Sequence, residues 1–289
     1  MTTTLTPPPV PPAPPSDGGV TGPVSPQPPA HRPGSRVVAI LTIVLGIALI
    51  LGALGTSVLA AIGTSQRGAS GTLTADAVGI QSLKVDVAAA DLTIVYGGES
   101  VVLDVNGAAS DWRVRRDGPT LVVATQRTWW SALRPFNESD TAVLTLPQSL
   151  KGSALDADLS LSAGSLRADG DFGRLDVTVS AGAMNLSGRA ATLDAEVSAG
   201  RLVFDLARVD TARLKLSAGS VDGSLAGSAP SAVSVDLSAG RLALVLPDDR
   251  YAVSSNASAG DIENRLRVDS TSPHRITVGV SAGYVSLRS

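Results

Sequence analysis

The chain has 289 residues, a formal net charge of −3, no cysteine and only 3% aromatic residues. Without cysteine it has no disulfide framework, thiolate metal site, Cys nucleophile or lipoprotein attachment point. Beyond residue 63 it carries 21 basic and 25 acidic residues with no basic, aromatic-interleaved patch, so the electrostatic footprint of a nucleic-acid binder is missing.

Residues 1–35 hold 12 of the 18 prolines, with Pro7-Pro8-Pro9 and Pro14-Pro15 among them. Such a stretch cannot bury a core, and it reads as a disordered, Pro-rich cytoplasmic tail. Residues 36–63 follow as a transmembrane signal-anchor helix. Val37 to Gly63 run for 27 residues without a charge, more than the roughly 20 that span a hydrocarbon core. Arg32 and Arg36 precede the span, which places the N-terminus in the cytoplasm and the rest outside. The lipid bilayer is thus the partner expected for residues 37–63, in a bacterial cytoplasmic membrane crossed once. Arg outnumbers Lys, which occurs only at 84, 151 and 215, and this composition fits a bacterial genome rich in G and C.

After a linker at 64–74, residues 75–289 alternate apolar and polar positions. Leu83, Val85 and Val87 precede Ala88-Ala89-Ala90, and Leu92 and Ile94 follow. The strand-like runs Val101 to Val105, Leu121 to Ala124 and Val143 to Leu146 lie in an inserted hairpin region at about 97–150. That region also holds Trp112, Trp129, Trp130 and Phe136, a concentration of rings in an aromatic-poor chain. Trp129 and Trp130 are the candidate partner contacts, and a cap over one end of the repeat is the alternative reading of the region.

The triplet Ser-Ala-Gly then begins at Ser162, Ser180, Ser198, Ser217, Ser238, Ser258 and Ser281, at intervals of 18, 18, 19, 21, 20 and 23 residues. A fixed triplet at a near-constant period is the signature of stacked coils. Around Ser180, Leu175, Val177 and Val179 alternate with polar residues, while Met184 and Leu186 follow with opposite parity. The slip is what a corner with a positive-φ glycine produces, so Gly164, Gly182, Gly200, Gly219, Gly240, Gly260 and Gly283 read as structural corners. The degenerate copy at Ala88 brings the count to about eight coils. The triplet alanines are expected as a narrow core ladder and the serines as an outward row. The Ser258 coil is the weakest, with Ser255 and Ala257 where others carry larger aliphatics.

Chemistry is sparse. His274 lies in a loop with no second histidine beyond residue 31, and no nucleophile-elbow motif accompanies it. Asp156, Asp158, Asp169, Asp171, Asp176, Asp194, Asp205, Asp222, Asp236 and Asp261 fall at differing offsets from the triplet and read as solvated faces. No catalytic, cofactor or metal residue is assigned.

The Ser-Ala-Gly steps with alternating aliphatic flanks, together with Leu146-Pro147 and Leu246-Pro247, the latter leading through Tyr251-Ala252-Val253 to Ser258, resemble the bacterial putative-adhesin family. This is a domain of unknown function with a toast-rack-like β-solenoid, and the likeness covers residues 75–289. It implies a single-stranded right-handed β-solenoid with no catalytic residues. The expectation is therefore an all-β, non-enzymatic, membrane-anchored cell-surface binding or scaffold module without cofactors. Its ectodomain partner would be a protein or a cell-wall polysaccharide. An envelope-stress sensor and a polysaccharide-active β-helix enzyme are the alternative classes. The chain stops just after the Tyr284–Leu287 strand, so that C-terminal coil is expected to present an open edge for homo-oligomer formation.

Overall fold

Strands dominate the computed structural model, which describes residues 71–107, 109–125 and 140–289, all within the unit Thr64–Ser289. The expected tail and span, and Trp129 and Trp130, lie outside the described residues. Among those residues no helix is long and apolar enough to cross a membrane.

The protein is all-β. The first strands are β1 (Gly71–Ala75), β2 (Ser82–Val87), β3 (Ala90–Tyr96), β4 (Val101–Asn106), β5 (Trp112–Asp117), β6 (Thr120–Thr125), β7 (Thr141–Leu146) and β8 (Leu155–Leu161). The triplet-bearing part contains β9 (Gly164–Val179), β10 (Ala183–Val197), β11 (Arg201–Ala207), β12 (Thr211–Leu216), β13 (Ser220–Ala226) and β14 (Ala232–Leu237). It ends with β15 (Arg241–Val245), β16 (Arg250–Asn264), β17 (Arg267–Val268) and β18 (Arg275–Arg288). The alternation that predicts these strands is the one that buries them. Leu175, Val177 and Val179 are inside while the residues between them face outward.

Two parallel ladders organise the pairing. Before each triplet, β6, β2, β8, the second half of β9, the second half of β10, β12 and β14 lie side by side. After each triplet, β7, β3, the first half of β9, the first half of β10, β11, β13 and β15 do the same. Because β10 and β18 belong to both ladders, the pairing closes through β10, β11, β13, β15, β18, β14 and β12, a ring of seven strands with further strands attached. Like residues stack in the interior, as in Met184 beside Leu202 and Leu214 beside Val235.

The ladders end differently. At one end β4 pairs antiparallel with β7 and β1, and β5 pairs antiparallel with β6. Trp112 is buried there, so this ring belongs to the packing. Strand β1 occupies residues expected in the linker, and β6 and β7 join the parallel ladders rather than standing apart as a hairpin insertion.

The other end corrects the expectation about the C-terminal coil. β18 has neighbours on both sides: β14 and β15 on one, β16 on the other. The outermost layer is β16, the weak Ser258 coil. Composition explains the exchange of order. β18 turns Ile276, Val278, Val280, Val285 and Leu287 inward, whereas the matching positions of β16 are Val253, Ser255, Ala257, Ile262 and Asn264. Burying an aliphatic side chain is worth about 1.5–3 kcal/mol. Placing β18 at the edge would forfeit part of that at several positions, while β16 has little to lose.

The triplet alanines also depart from expectation. Ala181, Ala199, Ala218, Ala239, Ala259 and Ala282 are exposed rather than a core ladder. They sit where the chain turns from one ladder to the other, and backbone hydrogen bonds run straight through the turn, for example from the amide of Ala199 to the carbonyl of Ser180. The interior is filled instead by the residue before each triplet, such as Val179 or Val197, and by the residue two after its glycine, such as Met184 or Leu202. Gly182 has φ +105, and a Cβ there would stand 2.4 Å from the carbonyl oxygen of Gly164 in the layer below. Backbone conformation and close stacking therefore both require glycine. Gly200 has no such φ, yet a Cβ there would meet the oxygen of Gly182 at 2.7 Å.

Candidate functional site

On the outer face of the pre-triplet ladder, Asp158, Asp176 and Asp194 stand in register, one per layer, about 4.8 Å apart. Cations from neighbouring positions neutralise them. Lys84 Nζ lies 2.8 Å from Asp158, Arg174 Nε 2.9 Å from Asp176, and Arg213 3.1 Å from Asp194. Asp86 is diagonal to Asp158 across the β2–β8 pair. Its carboxyl is pushed up chiefly by desolvation, with Lys84 opposing and Asp158 reinforcing the shift. A glycosidase pair would combine such a carboxylic acid with a free carboxylate across a cleft. Here the second carboxylate is held by lysine on an open face. Among the described residues no group of acids, histidines or cysteines has the arrangement of a metal site.

His274 is tied into structure. Its Nδ1 lies 2.9 Å from the carbonyl oxygen of Pro230, its ring meets Tyr251 edge-on with centroids 6.1 Å apart, and its Nε2 is 3.9 Å from Asp249. Tyr251 donates to the Pro247 carbonyl, and its hydroxyl is pushed up to about 12 by burial and then by Asp249 and Asp248. Burial, with Asp171 and Asp169 behind it, also takes Tyr96 to about 12.

Two shallow clefts stand out among the described residues. One, of about 470 Å³, lies over β1, β4 and β7 and includes Asp104, which accepts a hydrogen bond from Thr72. The other, of about 270 Å³, lies where β14, β18 and β16 reach their triplets. Its cause is a missing side chain. Asp236, Gly279 and Asn256 form one outward row across three layers, and the glycine leaves a notch between a carboxylate and an amide. Ser238, Ser281 and Ser258 line the rim. All three serines, Asp236 and Asn256 are exposed, and among the described residues no side-chain hydrogen bond engages any of them. The notch thus offers a carboxylate, an amide and three hydroxyls to whatever enters. Residue identity alone does not reveal it, because Gly279 is conspicuous only once its row partners are known. Of the residues singled out from sequence, the triplet serines contribute to it and the aspartates, Asp236 excepted, do not.

No family model matches the chain, and no curated protein matches it. Solved structures do. A "putative cell adhesion protein" from Clostridium sporogenes is 11% identical with a TM-score of 0.36, covering 77% of this chain and 99% of its own. A "putative adhesin" from Bacteroides fragilis is 10% identical with a TM-score of 0.38, covering 76% and 97%. A "putative lipid binding protein" from Parabacteroides distasonis is 11% identical with a TM-score of 0.38, covering 74% and 96%.

Proposed function

We propose that the chain is a non-enzymatic, membrane-anchored β-solenoid of the bacterial cell surface that binds a hydroxyl-rich partner, a cell-wall polysaccharide, at the Asp236–Gly279–Asn256 notch. The membrane reading rests on the uncharged run Val37 to Gly63, and the solenoid reading on the parallel register that repeats with the triplet. The observation that carries the binding reading is the notch itself. Its acceptors, donors and hydroxyls are unengaged, and sugars are recognised through such groups. The partner is held by exposed groups, so binding is weak per site.

The test fills the notch without disturbing the strand. A Cβ at Gly279 would meet only the Asp236 carboxylate at 3.4 Å and one backbone oxygen at 4.0 Å, and its φ is not positive. The full chain carrying Gly279→Gln should keep its melting temperature and lose retention on purified cell-wall polysaccharide, and Asp236→Ala with Asn256→Ala should do the same. Undiminished retention in both variants would reject the notch. Protease protection of residues 71–289 in intact cells would reject the surface location.

A further inference from the structure

The Asp236–Gly279–Asn256 notch has a direction as well as a polarity. Asp236 on β14, Gly279 on β18 and Asn256 on β16 share one row, so the two side chains stand two layers apart, about 9.6 Å between Cα atoms. A carboxylate only accepts hydrogen bonds, whereas an amide side chain also donates. One Asp236 oxygen lies 3.4 Å from where a Gly279 Cβ would stand, so the carboxylate leans over the empty position. The fold does not ask for the glycine. Gly240 and Gly283, at the nearby corners, have φ +110 and +123, but Gly279 has no positive φ and has room for a Cβ. A glycine inside a strand weakens it, and here no backbone requirement offsets that loss. What the glycine supplies is space between an acceptor and a donor.

We infer that the notch holds the acetamido group of an N-acetylated amino sugar, its N–H donating to Asp236, its C=O accepting from Asn256 Nδ2 and its methyl resting on Gly279. The inference rests on the notch being the polysaccharide site. In a trans amide the N–H and C=O point in opposite directions, across the axis that joins the ring to the methyl. Laid in the notch, these two groups run along the row, and an amide with a hydrogen bond of about 2.9 Å on each side is of the size of the gap. The ring-to-methyl axis then runs along the strands. Ser238, Ser281 and Ser258 follow two residues further along those strands, about 6.6 Å away, where they meet the ring hydroxyls. A hydroxyl in place of the acetamido group is too short to reach both side chains. An ammonium there would leave the Asn256 donor unused. It would also be opposed by Lys215, which stands beside Asp236 in the same row, one layer further in.

The fixed direction of the amide gives the test. A hydroxyl can exchange donor and acceptor roles, and an acetamido group cannot. Asn256→Asp keeps the shape of an exposed side chain and removes its donor. Retention of the full chain is measured on a β-linked glucan, on the N-acetylated amino-sugar polymer of the same linkage, and on that polymer stripped of its acetyl groups. Moderate salt screens the charge of the stripped polymer. The N-acetylated polymer should hold the chain about tenfold more tightly than either of the others, the difference one hydrogen bond makes. Asn256→Asp should bring retention on the N-acetylated polymer down to that on the glucan, with no loss of melting temperature. Equal retention on the glucan and the N-acetylated polymer, lost in Gly279→Gln, would overturn the inference and leave the notch standing as a polysaccharide site. Tighter retention on the stripped polymer, abolished by Asp236→Asn, would assign the notch to an ammonium and likewise overturn it. Retention on none of the polymers, or retention that Gly279→Gln does not diminish, would overturn the polysaccharide site itself and this inference with it.

Discussion

The hydroxyl of Tyr284 donates a hydrogen bond to the carboxylate of Glu263, fastening the outermost strand to the one beneath it. Arg265 Nε reaches the same carboxylate at 2.7 Å, and the Arg241 guanidinium lies 5.9 Å from the centre of the Tyr284 ring. The Tyr284 hydrogen bond, then Arg265, hold the Glu263 carboxyl below its usual 4.5, and the same bond raises Tyr284. Because the folded value is depressed, the fastening is fully present above pH 4.5 and is lost as pH falls through the lower, folded value. Tyr284→Phe should let the amides of Asp261 and Glu263 exchange faster at neutral pH while leaving those of β12 unchanged. Amide exchange across a pH series checks both points.

Gly182→Ala places a side chain at φ +105 and against the Gly164 carbonyl. Strained backbone of this kind costs about 1–3 kcal/mol, and the steric contact adds to it. Urea unfolding of Gly182→Ala should show that loss at an unchanged slope. Gly200→Ala, which meets the same kind of contact without positive φ, should lose less.

Gly223 lies beneath the Phe204 ring, where a Cβ would come within 2.1 Å of the ring. Gly223→Ala should therefore destabilise by overpacking, on the order of 1–3 kcal/mol. Phe204→Leu in the same chain should recover part of the loss, because the two sites are in direct register. A thermal double-mutant cycle measures the coupling.

Lys84 lowers the carboxyl of Asp86 against desolvation and pairs with Asp158. Lys84→Ala should move Asp86 further upward in a carboxyl NMR titration while costing less than about 1 kcal/mol, since the ion pair is half exposed. Asp86 carries the opposite sign from Glu263. Its raised folded value favours the fold below its ordinary 3.8, and that contribution fades as pH rises through the folded value.

Strand positions were legible where period-2 alternation met a repeated marker. Leu193, Ala195 and Val197 ahead of Ser198 sufficed to place half of β10 and its inner face. The direction of the triplet alanines was not legible, because alternation says nothing about where a corner points. Nor was the order of the last two layers. Residues 252–264 and 275–288 carry the same triplet and the same parity, and Ser255 and Ala257 mark the former as poor in core without saying that it would be displaced. The notch needed register across three layers. Asp236, Asn256 and Gly279 each stand two residues before a triplet serine, so the shared row was legible, but that Gly279 lies between the other two was not.

The inversion at the open end also constrains assembly in time. Residues 250–264 emerge from synthesis before 275–288, yet the layer they join is made by the later segment. On the edge of β14 and β15, β16 would offer Ser255 and Ala257 where β18 supplies Val278 and Val280. In the folded chain the later segment holds the inner position and the earlier one covers it.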